Sequence, residues 1–323
     1  VVTHVDAGHI LGAALALVEI PYNGGDFLRI ALVFDLGRRN LPLLHDPVQL
    51  QDVDVVVIES TYGDRLHDNA LNAREELREG IVRALGRGGK VLIPTFALGR
   101  AQEIVYHLVH LRDRGEIPPV PVYVDSPMAH AIAGVFEKNS DYLDEESHAL
   151  RGSVGSIVHP DWLTFTESVD ESKAITSAKT PAIVIAASGM CEHGRILHHL
   201  KHGVENEKNL ILLVGYPAEN TLGGRIQNLE KKVRRFGDGF ALKAEVQTLH
   251  AFSAHADRLE LFRYVRDAKP KKVFLVHGEH SQRASFAQLL RDQLHLDVDL
   301  PRNGDVVDLS AFLAPHAPAP APA

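Results

Sequence analysis

Cysteine, tryptophan and methionine are scarce in this 323-residue chain, which has one, one and two of them. The single Cys191 excludes an internal disulfide framework and a cysteine-rich zinc site. The sequence contains no signal-peptide pattern and no apolar run of about 18 residues, so it predicts a soluble, cytoplasmic protein with no membrane partner.

A net charge of −8 does not favour nucleic-acid binding. Basic clusters at 231–235 and 269–272 leave it open, although each alone is more often solvated surface.

Histidine is abundant, with 19 copies. With so little cysteine, any metal site is expected to use imidazole and carboxylate ligands. The apolar content of 45% is ample for the core of one large domain or two smaller ones.

Short apolar runs alternate with helical patterns and predict an α/β protein. The predicted strands are 14–20, 28–35, 53–59, 90–96, 121–125, 182–187, 210–215, 244–249 and 272–277. A helix is predicted after Asn69, where Leu77, Ile81 and Leu85 recur at four-residue spacing, and others at about 100–113, 192–202, 256–267 and 281–294. The Gly-rich "PYNGGDF" predicts an antiparallel hairpin between the first two strands.

Polar residues stand where several predicted strands end: Asp35, Glu59, Asp125, Ser188 and His277. Ligands bind at the carboxyl ends of strands in open α/β sheets, so this pattern favours a metal or catalytic site. The alternative is that Asp and Ser cap the helix that follows, which is equally plausible for Asp125 and Ser188.

His9 lies in the Gly-flanked "DAGHILGAA", and His255 lies in "AFSAHADR" at a predicted helix start. Two imidazoles, His9 and His277, with the carboxylate of Asp35 between them, are nitrogen and oxygen ligands suited to zinc. His255 is then either an outer partner of the metal or a general acid. A dinucleotide oxidoreductase and a serine hydrolase are disfavoured, since no G-x-G-x-x-G follows a strand and "AASGM" is not G-x-S-x-G.

Nine motifs, in order along the chain, resemble the β-CASP group of metallo-β-lactamase-fold nucleases. They are "AGHILGAA", "FDLGR", "ESTYGDR", "PTFALGRAQE", "PVYVDSPMA", "ASGMCEHGRILHHL", "GYPAENTLGGRI", "FSAHAD" and "LVHGE". The resemblance runs from about residue 3 to 310. It implies a metallo-β-lactamase αββα fold, N-terminally truncated, with an inserted β-CASP domain. The implied limits are 1–64 and 244–312 for the first domain, 65–243 for the insertion, and 313–323 for a disordered Pro/Ala tail.

The resemblance also implies roles for individual residues. His9 and His277 match zinc ligands, and Asp35 matches the aspartate that bridges two zinc ions. Glu59 and His255 match the acid and the proton donor of two β-CASP motifs, so the implied catalytic residues are His255, Glu59 and Asp35. The loop with Ser188 and Gly189 offers backbone amides to a phosphate, and Arg195 and Arg100 add guanidinium contacts unless they only pair on the surface.

The family's His-x-His-x-Asp-His motif does not occur in the chain. Truncation is the simpler explanation, and cutting by the chain as given is expected to be impaired. The expected function is zinc-dependent hydrolysis of RNA, with single-stranded DNA as an alternative substrate and a homodimer as an alternative to a monomer. The competing readings are a non-cutting nucleic-acid-binding relative and a metallohydrolase of another phosphoester or small molecule.

Overall fold

The computed structural model describes residues 1–22, 26–67, 72–215, 217–218, 220–230, 232–235 and 238–313. The chain divides into two compact units. The first contains Val1–Leu41, His45–Leu66 and the chain from Ala254, and the second contains Pro42–Leu44 and His67–Ser253. The sequence analysis placed the corresponding limits after residues 64 and 243. All but the first residue of the predicted tail lies outside the described residues.

The first unit is built on a six-stranded mixed sheet. Its order is β1 (Val2–Asp6), β2 (Ala14–Tyr22), β3 (Asp26–Val33), β4 (Val55–Ile58), β13 (Lys272–Leu275) and β14 (Asp297–Asp299). The pairs β1–β2 and β2–β3 are antiparallel, and the remaining neighbours are parallel. The predicted hairpin is thus confirmed, while its turn, residues 23–25, lies outside the described residues.

Helices α8 (Arg258–Ala268) and α9 (His280–Leu294) complete the first unit. Their apolar residues pack with the sheet into one buried cluster, which includes Leu15, Val33, Ile58, Leu261, Val265, Leu275, Phe286 and Leu290. A smaller cluster gathers Leu28, Val55 and Phe274 with Leu309 and Phe312, the latter in the 3-10 helix Ser310–Phe312. The sheet therefore buries side chains in two clusters, and its strand ends are left to carry polar groups.

The second unit contains a six-stranded sheet in which every pair is parallel. Its order is β12 (Glu245–Leu249), β9 (Leu210–Val214), β5 (Val91–Thr95), β8 (Ile183–Ala187), β6 (Val122–Asp125) and β7 (Leu163–Phe165). Because β12 pairs with β9, the second unit continues past residue 243. A separate antiparallel pair joins β10 (Lys232–Arg235) to β11 (Asp238–Ala241).

The helices of the second unit connect these strands. They are α1 (Ala73–Gly86), α2 (Arg100–Asp113), α3 (Pro127–Lys138), α4 (Glu145–Val154), α5 (Val169–Ser177), α6 (Ile196–Gly203) and α7 (Leu222–Gln227), with 3-10 helices at Ser140–Tyr142 and His250–Phe252. The α/β class is confirmed, as are all the predicted strands. The predicted start of the first helix, after Asn69, lies outside the described residues.

One predicted helix begins later than expected. The sequence predicts a helix over 192–202, but α6 starts at Ile196 because residues 188–195 form a tight loop. Ser188 Oγ accepts a hydrogen bond from Glu192 N, and Gly194 has a φ of 81°. A Cβ at Gly194 would lie 2.3 Å from Ala187 O, so the loop packs back on the end of β8.

No described helix is long and apolar enough to cross a membrane.

Candidate functional site

Three of the predicted site residues follow neighbouring parallel strands of the first unit. Asp35, Glu59 and His277 come just after β3, β4 and β13, and Ile58 pairs with both Val33 and Leu275. The ladder continues past the strands, since Glu59 N donates to Val33 O (3.0 Å) and Val276 N to Ile58 O (2.9 Å). The side chains therefore leave the sheet at one edge, as expected from parallel strands.

The backbone turns sharply at two of these positions. Asp35 has a φ of 50° and His277 a φ of 45°, both in the left-handed region. This conformation costs about 1–2 kcal/mol for a residue with a Cβ, and aspartate tolerates it better than histidine. Such backbone conformations persist where the surroundings hold them, and they are common at functional sites.

Two glycines bring the loop of His9 close to the segment of His255. A Cβ at Gly37 would lie 2.0 Å from Gly8 O and 2.7 Å from His9 N, so only glycine fits there. Gly37 N donates to Ala7 O (2.7 Å), and Gly37 also forms a β-bridge with His255. The two imidazoles consequently lie side by side, with ring centroids 4.3 Å apart.

His9, Asp35 and His255 form a cluster suited to a metal ion. One ligand atom from each residue lies within 4.8 Å of the other two. His9 Nδ1 is buried and has no hydrogen-bond partner among the described residues. Burial, and then the nearby His255, lower the pKa of His9, which keeps the ring neutral as a metal ligand must be.

Glu59 contacts one of these two rings, that of His255. Its carboxylate is fully buried, with Oε2 3.0 Å from His255 Nδ1. It also accepts hydrogen bonds from Leu36 N (2.6 Å) and Thr61 Oγ1 (2.5 Å). Burial alone would raise the pKa of Glu59, but the His255 contact and these donors outweigh it and lower the pKa. Glu59 is therefore a carboxylate that fixes the orientation of the His255 ring.

His277 lies apart from the three-residue metal cluster. Its ring is exposed, and its Nδ1 lies 3.3 Å from Thr61 Oγ1. The sequence-based ligand set was His9, Asp35 and His277, whereas the cluster in the structure joins His9 and Asp35 to His255. Thr61 contacts both Glu59 and His277, and the sequence analysis did not single it out.

The donors of the cluster fit zinc. Two imidazole nitrogens and a carboxylate oxygen match the ligands of catalytic zinc, which keeps three protein ligands and one open position. The buried, unpartnered Nδ1 of His9 supports this fit, because an isolated buried nitrogen is otherwise unfavourable. These three residues supply one such ligand set.

In the second unit, Arg195 is paired with a buried carboxylate. It donates to Asp125 Oδ1 (2.7 Å), to Thr166 O (3.2 Å) and to Glu167 O (2.6 Å). Asp125 is fully buried and also contacts Thr166 Oγ1, Ser172 Oγ and His199 Nε2. Burial alone would raise the pKa of Asp125, but these hydrogen bonds outweigh it and hold the pKa well below its usual range.

The other predicted phosphate-binding residues lie at the carboxyl ends of β5 and β8. Ser188 is 4% exposed and follows β8 directly, with Gly189 next to it. Arg100 begins α2, pairs with Glu103 and lies over the Phe252 ring at 5.7 Å from its centroid. No sequence pattern indicates the partners of Asp125, because Thr166, Ser172 and His199 lie in other elements.

The chain matches two known domain families. The family description "Beta-Casp domain" matches residues 101–226, and "Zn-dependent metallo-hydrolase RNA specificity domain" matches residues 239–301. The chain is 38% identical over 305 residues to Ribonuclease TTHA0252 of Thermus thermophilus, covering 93% of this chain and 68% of that protein.

Two archaeal proteins from Methanocaldococcus jannaschii are also similar. An RNase J-like protein is 32% identical over 308 residues, covering 94% of this chain and 70% of its own length. A transcription termination factor, FttA, is 33% identical over 321 residues, covering 94% of this chain and 49% of its own length. The chain thus spans about half of FttA and just over two thirds of the other two.

Proposed function

The chain belongs to the β-CASP family of metallo-β-lactamase-fold nucleases, and we propose that it hydrolyses phosphodiester bonds in RNA. The convergence of His9, Asp35 and His255 in front of the buried Glu59 carries the proposal. The names of two relatives, a ribonuclease and an RNase J-like protein, support RNA as the substrate.

In the proposed site, His9 and Asp35 would hold zinc, and His277 would serve a second ion. When bound, zinc stabilises the negative charge that develops on the scissile phosphate. The neutral imidazole of His9 is ready to donate a lone pair, because burial lowers its pKa. The left-handed turns at Asp35 and His277 direct both side chains away from the sheet.

His255 is proposed as the proton donor to the departing oxygen. Glu59 contacts its Nδ1, so Nε2 is the nitrogen proposed to donate to the substrate. A buried carboxylate against Nδ1 also stabilises the doubly protonated ring, the form that a general acid requires. The alternative is that Nε2 binds metal and Glu59 acts as the outer partner of a ligand. The short distances from His255 to His9 and Asp35 support this alternative.

Replacing His255 separates these two roles. If His255 is the proton donor, His255→Ala abolishes cutting of a single-stranded RNA while zinc per chain stays at the parent value. If zinc falls with activity, His255 belongs to the ligand set. His4→Ala is the matched control, because His4 is an exposed histidine on β1 of the same unit. An intact parent that binds zinc and RNA but leaves the RNA uncut would favour the non-cutting alternative.

Ser188, Gly189, Arg195 and Arg100 are proposed to bind the phosphate backbone. Their position at the carboxyl ends of β5 and β8 supports this role. Arg195 already has Asp125 as a partner, so a phosphate would share the guanidinium with that carboxylate. Arg195→Ala should weaken RNA binding and flatten its dependence on salt. Weaker binding with an unchanged salt slope would instead assign Arg195 to holding Asp125 and the fold.

A further inference from the structure

Phe96 is an exposed aromatic side chain at the carboxyl end of a buried strand. Residues Val91–Thr95 of β5 are all buried, but the next residue, Phe96, is 52% exposed. No described ring lies against it, in contrast to Phe165, which stacks on His130 and His159. A single exposed apolar side chain is common on protein surfaces, so the groups around Phe96 decide whether it binds a ligand.

The ring is held in place by its neighbours. Gly189 lies directly against it, and a Cβ there would come within 3.2 Å of Phe96 Cε2. The turn that follows is closed by hydrogen bonds from Ala101 N to Phe96 O (3.3 Å) and from Gln102 Nε2 to Ala97 O (3.1 Å). Gly189 thus contacts one side of the ring, and the turn holds the backbone that carries it, which limits the conformational freedom lost on binding.

The surroundings of the ring suit a nucleotide. Thr95 pairs with Ala187, so Phe96 and Ser188 leave the sheet side by side. The 14-residue helix α2 starts four residues beyond the ring, and its N-terminus favours an anion. A single aromatic face with Leu98 beside it is far smaller than a stable protein interface, whereas it matches one nucleobase.

We infer that Phe96 is a stacking platform for one unpaired base of the RNA, with the phosphate of that nucleotide near the Ser188–Gly189 loop. This inference rests on the proposed function. A phenyl ring offers no hydrogen bond, so it accepts any base and prefers those that stack strongly. The platform selects single-stranded RNA, because a base in a duplex has no free face.

Binding of a phosphorothioate-linked oligo(A), which resists hydrolysis, tests the platform with the full chain. Phe96→Leu keeps the apolar bulk and removes the flat face, so affinity should fall about five-fold or more. Binding of a length-matched strand that lacks bases should change by less than about two-fold. Phe27→Leu is the control, because Phe27 is a 40% exposed phenylalanine of the first unit, on β3.

Phe96→Trp gives an independent readout. It should bind oligo(A) at least as tightly as the parent, and the RNA should quench the fluorescence of the added tryptophan more strongly than that of Trp162 in the parent. The base-free strand should leave the emission unchanged. Tight binding by the parent with equal affinity for Phe96→Leu, or no quenching in Phe96→Trp, overturns the platform and leaves the proposed function intact. No RNA binding by the parent overturns both.

Discussion

His255 Nδ1 lies 3.0 Å from Oε2 of Glu59, a carboxylate with no exposed surface. The carboxylate also accepts hydrogen bonds from Leu36 N and Thr61 Oγ1, so it has no freedom to follow a ring that moves. Whether His255 donates a proton or binds metal, its orientation depends on Glu59.

Glu59→Gln should slow RNA cutting about 10- to 100-fold, the usual loss when the carboxylate behind a site histidine is removed. The amide keeps the size of the side chain but loses the negative charge that faces His255. Initial cleavage rates at saturating zinc measure the effect. Glu19→Gln is the control, since Glu19 is a partly exposed acid on β2 paired with Arg29. If Glu59→Gln cuts RNA as fast as the parent, Glu59 does not contribute to catalysis.

Gly37→Ala should destabilise the first unit by about 1–3 kcal/mol, as overpacking does, and should weaken zinc retention. The added Cβ would lie 2.0 Å from Gly8 O, so the loop of His9 must move away from His255. Hydrogen exchange of the first unit and zinc per chain are the measurements. Gly134→Ala in α3 is the control, because nothing lies within 4 Å of that Cβ. Equal zinc retention in both variants would contradict the argument.

The strands of the two sheets could be predicted from the sequence only in part. The strands that were predicted are continuous apolar runs such as Val91–Thr95, which are buried along their whole length. The strands that were missed are short or lie at an edge, like the three-residue β7 and β14 and the largely exposed β1. Local pattern carries no information where burial is incomplete or the element is only three residues long.

The site was predictable in its residues more than in its contacts. His9, Asp35, Glu59 and His255 do lie together in the first unit, but the sequence had grouped His277 with His9 and Asp35. Which imidazole approaches depends on the Gly8–Gly37 contact and the bridge to His255, both set by chain segments far apart. The partner of Arg195 was hidden for the same reason, because Asp125 lies 70 residues away in sequence.

Asp125→Asn should destabilise the second unit by about 3 kcal/mol at neutral pH, because Arg195 then loses its buried counter-charge. Urea unfolding followed by Trp162, the sole tryptophan, reports on this unit. Asp170→Asn is the control, since the side chain of Asp170 is 93% exposed and pairs with the exposed Lys173. A loss no larger than that of the control would mean that the hydrogen bonds of Asp125 add little net stability.

The Asp125 carboxylate should also make the stability of the second unit depend on pH in the acid range. The pKa of Asp125 is lower in the folded chain than the unfolded value of about 3.9. Its stabilisation is therefore fully present above that value and is lost progressively as the pH falls toward the folded pKa. The difference in the free energy of unfolding between the parent and Asp125→Asn should become smaller below about pH 4. A difference that stays constant down to pH 2 would contradict the lowered pKa.

His9→Phe tests whether the first unit gains stability from zinc through this ring. The buried Nδ1 has no described hydrogen-bond partner to lose, so a similar-sized apolar ring should cost the zinc-free protein little beyond the hydrogen bond of the His9 ring to the Ala254 backbone, about 1 kcal/mol. In the parent, zinc should raise the melting temperature, since a ligand that binds only the folded state stabilises it. In His9→Phe this rise should shrink or vanish, while His4→Ala should behave as the parent does. A full zinc-dependent rise in His9→Phe would show that His9 is not a ligand and that Nδ1 is buried for another reason.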